Sequence, residues 1–166
     1  LSVPLDSAMH RLMDWLPAHV PPGDETTLVH GDYRIDNLVF HPAEARVIGV
    51  LDWELSTLGH PLADLAYHCM AWNVPPALWR GMGGLDLPAL GIPTEAQYLA
   101  DYRAATGRDA QGHWSFYMAY NLFRMAAILY GIAQRAADGS AASADAEETG
   151  RKAGPLAQLG GERAQR

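Results

Sequence analysis

Two residue types are nearly missing from this chain of 166 residues. Cysteine occurs once, at Cys69, so no intrachain disulfide can form, which fits a reducing, cytoplasmic setting. Lysine also occurs once, at Lys152, far toward the C-terminus. No run of 18 or more apolar residues exists, which excludes a membrane-spanning helix. The first sixteen residues lack the basic start, apolar block and small-residue cleavage site of a secretory signal. Clustered basic residues are scarce too. Residues 1–80 hold ten acids against four arginines, and residues 81–166 hold nine acids against eight bases. Nucleic-acid binding depends on phosphate neutralisation by grouped Lys and Arg, so that class of partner is excluded. An acidic first half suits a cation instead.

What is present is one domain's length of chain with 49% hydrophobic and 19% charged residues, enough to bury a core. Leu5, Met9, Leu12, Met13 and Leu16 recur at helical spacing, with Asp6 or Ser7 as N-cap. After a Pro- and Gly-containing break the period shortens. Thr27–Val29, Asn37–Phe40 and Arg46–Leu51 are β-like, and the five residues 41–45 between the last two predict a hairpin. Pro61 opens a helix with an apolar face of Leu62, Leu65, Ala66, Cys69 and Met70, ending before Pro75. Residues 76–93 predict a long irregular connection. Thr94–Gln97 reads as a capping box, and Gly107 closes that helix. Trp114 to Ala137 is the longest helical stretch. The expected organisation is an α+β, mostly helical domain over residues 1–138, followed by an Ala/Gly-rich tail, 139–166, expected to be poorly ordered.

Chemistry concentrates in two loops flanking the predicted hairpin: His30-Gly31-Asp32-Tyr33-Arg34-Ile35-Asp36-Asn37, and Leu51-Asp52-Trp53-Glu54. A hairpin reverses the chain, so the start of its first strand and the end of its second lie side by side. That brings Asn37 toward Asp52, with Asp32 on the adjoining loop. Mg²⁺ takes a set of this kind, one or two carboxylates plus water and phosphate oxygens. His-x-Asp alone is common by chance. The joint pattern is rarer: His-x-Asp, four residues, Asn, a strand, a turn, and a second strand ending in Asp. It is the protein-kinase arrangement.

The strings Leu28 to Leu38 and Leu51 to Ala66 resemble the aminoglycoside phosphotransferase and choline kinase-like family. They are most similar to the phosphotransferase domain found fused to acyl-CoA dehydrogenases, and the similarity runs through Phe123–Ile128. The resemblance implies the C-terminal lobe of a protein-kinase-like fold, with ATP as co-substrate, Mg²⁺ as metal and a small-molecule hydroxyl as acceptor. A hydroxylated acyl compound, including a CoA thioester, is the substrate class it points to. It implies Asp32 as catalytic base, with His30 bracing the loop. Asn37 and Asp52 are the expected metal and cofactor ligands. Asp64 is expected to aim at the loop's backbone, with Arg34 in support, as an ion pair with Asp36 or facing substrate. Trp53-Glu54 stands where kinases carry Phe-Gly, so a DFG-style flip is not expected.

Only 29 residues precede His30, without a Gly-rich loop or a lysine. The chain is therefore expected to be weak or inactive without an N-terminal ATP-binding lobe, and to gain a partner in that lobe or in a second copy. The rival readings are a non-catalytic kinase-lobe remnant serving assembly, and a metal-dependent hydrolase using the same carboxylates. Trp72, Trp79 and Tyr98 are expected to be core, and Arg124 is open between a snorkelling side chain and an anion contact.

Overall fold

The computed structural model describes residues 3–23 and 25–165. Helix α1, Ser7–Ala18, begins where Asp6 accepts from the Met9 amide at 2.8 Å, and it buries Ala8, Met9, Leu12 and Leu16. Two small antiparallel ribbons follow. Strand β2, Leu38–Phe40, pairs with β3, Val47–Val50, in the register Leu38 to Val50, Val39 to Gly49 and Phe40 to Val47, with a bulge between Val39 and Phe40. This is the hairpin that the alternating apolar runs predict. The second ribbon was not foreseen: β1, Thr27–Val29, pairs with β4, Thr57–Gly59, across the whole motif region. The fold is α+β and mostly helical, as the sequence predicts, with two short ribbons.

Helix α2, Leu62–Asn73, starts directly after Pro61 and buries Leu62, Leu65, Ala66, Tyr67, Cys69 and Met70. Helix α3, Glu95–Thr106, carries a full capping box between Thr94 and Gln97, and Gly107, at φ 74°, ends it. A Thr94→Ala exchange should remove about 1 kcal/mol of stability. It is expected as a lower urea midpoint at unchanged m-value in equilibrium unfolding.

The long helix α4, Trp114–Ala137, is the axis of the core, packing on α1 and α2. The tail differs from expectation. Residues 146–150 form α5, Ala146–Gly150, and residues 153–164 form α6, Ala153–Ala164. α6 lies against α1 and α4, with Ala153, Leu156 and Ala157 fully buried. Small residues make this possible: a Cβ on Gly160 would come within 3.0 Å of Leu12 Cδ1 and 3.2 Å of Leu122 Cβ. The Ala/Gly content that reads as disorder is a close-packing surface here.

Candidate active site

Two hydrogen bonds and one close backbone approach join the two acidic loops. The Leu51 amide donates to the Asn37 carbonyl at 2.8 Å, continuing the β2–β3 ladder by one step. His30, only 3% exposed, places Nε2 at 2.8 Å from the Leu51 carbonyl oxygen. Gly31, at φ 82°, lies so close to the turn after Asp52 that a Cβ there would stand 2.5 Å from the Leu55 carbonyl oxygen. The hairpin register therefore sets Asp52 one residue beyond the Asn37–Leu51 pair.

Asp64, in the first turn of α2, holds the first loop from behind. Its two carboxylate oxygens accept from the His30 amide at 2.5 Å and the Gly31 amide at 2.9 Å. Asn37 is buried, and its Nδ2 donates both to the Asp32 carbonyl and to Asp32 Oδ2, each at 2.9 Å. Arg34 Nε lies 3.5 Å from the same Oδ2, and its guanidinium reaches Asp36 at 3.4 Å. Arg34 Nε is itself buried without a well-aligned acceptor. Asp36 is also paired with Arg80 at 3.1 Å. The structure thus brings Asp32, Asn37, His30, Arg34 and Asp64 into one connected cluster.

Asp52 stands at the edge of that cluster, exposed and in the left-handed region at φ 65°, the sole non-glycine residue with positive φ among those described. Asp tolerates this conformation better than most residues, though it still costs about 1–2 kcal/mol. Among the described residues its carboxylate has no hydrogen-bond or ion-pair partner. With its Nδ2 bound to Asp32, Asn37 keeps its amide oxygen free of the Asp32 carboxylate. The donors are all hard oxygens, and among the described residues no three of His, Cys, Asp and Glu form a closed cage. That chemistry fits Mg²⁺, which keeps much of its water.

Beside the cluster opens a cavity of about 880 Å³. Tyr67, His68, Trp72, Trp79 and Tyr98 line it, with Arg34, Asp36 and Arg80 at one side. Tyr67, Trp72, Trp79 and Tyr98 also pack in or against the core, as expected of the last three, so these side chains both pack on the core and line the cavity. Burial lowers the His68 pKa below its ordinary value, which keeps the ring neutral near pH 7. Burial pushes the Tyr98 hydroxyl up to about 12. The Arg124 guanidinium lies over the Tyr67 ring, 5.3 Å from the centroid.

The motif region is covered by a family model. The phosphotransferase enzyme family, APH, matches residues 2–120. The chain belongs to that family. It is 49% identical over 154 residues to acyl-CoA dehydrogenase family member 10 of Mus musculus, covering 92% of this chain and 14% of the mouse protein. It is 39% identical over 155 residues to acyl-CoA dehydrogenase family member 11 of Homo sapiens, covering 92% of this chain and 20% of the human protein. A crystal structure from Ralstonia eutropha, provisionally assigned as an aminoglycoside phosphotransferase, is 56% identical, with a TM-score of 0.90 over 95% of this chain and 49% of that one. The APH chain therefore spans a fraction of the length of the relatives it matches. No helix among the described residues is long and apolar enough to cross a membrane.

Proposed function

We propose that this lobe, in the intact enzyme, transfers the γ-phosphoryl group of ATP to the hydroxyl of a small molecule with an apolar body, such as a hydroxyacyl compound. The observation that supports this reading is the joining of the His30–Asn37 loop to the Leu51–Leu55 turn, through the Leu51 amide on the Asn37 carbonyl, His30 Nε2 at the Leu51 carbonyl, and the close approach of Gly31 to Leu55. Phosphoryl transfer asks for positioning and charge neutralisation more than for covalent chemistry. In this reading Asp32 accepts the proton of the acceptor hydroxyl. His30 and Asp64 hold the loop that carries Asp32. Asn37 and Asp52 would hold Mg²⁺, whose chemistry when bound is to neutralise charge on the phosphate oxygens. Arg34 adds a fixed positive charge next to the base.

The cavity supports the acceptor class. Its wall is chiefly aromatic and aliphatic, and Arg80 and Arg34 share the single carboxylate of Asp36 at its edge. An apolar chain ending in an anionic group would match both features.

The 166 residues taken alone are expected to phosphorylate slowly or not at all. The one lysine, Lys152, lies against Trp79, with Nζ 5.6 Å from the ring centroid, and 4.0 Å from Glu148. It belongs to the tail, just before α6. The two ribbons expose Leu28, Leu58, Leu55, Trp53, Ile48 and Phe40, and we place the completing ATP-binding lobe, or a second copy, on that apolar face.

Thermal melting tests the assignment, because a ligand that binds only the folded state raises its melting temperature. Mg²⁺ with ATP should raise the melting temperature of the intact enzyme, and Asp52→Asn should remove most of that rise. No shift with either ligand would favour a lobe that has kept the fold and lost the reaction.

A further inference from the structure

Helix α2 presents two side chains, one turn apart, to the loop that carries Asp32. Asp64 takes the loop's backbone amides. Tyr67, three residues on and therefore on the same face, reaches the loop's carboxylate: its hydroxyl donates to Asp32 Oδ1 at 2.5 Å. The other carboxylate oxygen, Oδ2, is already held by Asn37 and Arg34. Tyr67 is only 9% exposed, and its ring is clamped on one side by the Arg124 guanidinium. It also forms part of the cavity wall. One phenol therefore stands at the boundary between the acidic cluster and the space that would receive an acceptor.

We propose that Tyr67 is a positioning residue for phosphoryl transfer, holding Asp32 from one oxygen so that the carboxylate presents its remaining lone pairs toward the cavity. The inference rests on the phosphotransferase reading. A carboxylate has about four acceptor positions. Tyr67 uses one on Oδ1, Asn37 one on Oδ2, and Arg34 crowds the second side of Oδ2, so the site left for an incoming hydroxyl is on Oδ1. With both oxygens gripped, the side chain cannot rotate about its Cβ–Cγ bond without breaking two hydrogen bonds. The phenol keeps its proton throughout, because burial first and the Asp32 carboxylate second push its pKa well up. It thus serves as a donor only and does not compete with Asp32 for the acceptor's proton. Arg124, from α4, sets the plane of the ring and thereby the direction of the hydroxyl.

The test is Tyr67→Phe in the intact enzyme, with MgATP and hydroxydecanoic acid as the acceptor probe. The expected result is a kcat about 10- to 100-fold lower, with KM for acceptor and for ATP changed by less than about threefold. Circular dichroism melting should show the fold retained. An unchanged kcat overturns the inference. So does a rise in KM alone, which would make Tyr67 a binding-wall residue. Asp32→Asn run in parallel separates the two claims: if it leaves turnover intact, the phosphotransferase reading falls first. A second measurement needs no turnover. With 3-fluorotyrosine placed at position 67 of the 166-residue chain, the ¹⁹F resonance should move on Asp32→Asn and stay in place on Asp101→Asn at an exposed site of α3. A resonance indifferent to Asp32→Asn removes the contact and the proposal with it.

Discussion

Asp32→Asn should lower ATP-dependent phosphorylation by about 10²- to 10⁴-fold, the usual worth of a positioned general base. Two donors, the Tyr67 hydroxyl and the Asn37 amide, bond this carboxylate, and the Arg34 guanidinium pairs with it as a nearby charge. An asparagine has nearly the same shape but only one acceptor oxygen. Its NH₂ must face one of these groups, and the Tyr67 hydroxyl can reverse and accept from it without giving up another bond, whereas a flipped Asn37 amide would lose its bond to the Asp32 carbonyl. The fold should therefore survive at a cost of about 1 kcal/mol, while the proton acceptor is gone. Initial rates of ADP formation, with melting curves of parent and variant side by side, decide the matter. A rate within a few-fold of the parent would place the base elsewhere.

The second large effect is expected from the smallest addition, Gly31→Ala. Two penalties coincide at this position. The backbone sits at φ 82°, which an alanine adopts only at a cost of about 1–2 kcal/mol. The new methyl group would stand 2.5 Å from the Leu55 carbonyl oxygen and 3.2 Å from Leu55 Cβ. Neither neighbour is the free end of a flexible side chain, so the strand-to-turn segment itself must shift. That segment carries Asp52, and the displaced loop carries Asp32. We expect a stability loss of about 2–4 kcal/mol, seen in urea unfolding, and a loss of phosphorylation activity in the intact enzyme larger than the unfolded fraction accounts for. A variant as stable as the parent would show that the two loops are not in backbone contact.

Much of this arrangement is legible in the sequence where a local signal exists. The β2–β3 hairpin is marked by two apolar runs separated by five residues. The capping box at Thr94, the start after Pro61 and the stop at Gly107 are each set by one or two residues with known backbone preferences. Strand β4 escapes because three residues, Thr57–Gly59, carry no period of their own. They become a strand only by pairing with Thr27–Val29, some thirty residues earlier. The tail escapes for the opposite reason: its composition suggests too little apolar surface to order, yet Gly160 and Ala157 let α6 approach so closely that Leu156 is fully buried. Tyr67, which bonds Asp32, is the residue of the candidate site that sequence reasoning missed. Its signal was the spacing of three from Asp64, hidden inside an apolar helix face. The roles of Trp72 and Tyr98 are hidden likewise, since a residue that lines a cavity and a residue that fills a core share one hydropathy.

Helix α2 has a consequence for how such an enzyme could change. Its first turns, with Asp64 and Tyr67, grip the reactive loop, whereas its later turns, with His68 and Trp72, face the cavity together with residues of α3 and the 76–93 connection. Exchanges on the later turns can reshape the room offered to an acceptor while the hairpin and its two acidic loops stay as they are. Under the proposed phosphotransferase reading, a lineage built on this lobe is free to wander among acceptors without relearning how to move a phosphoryl group.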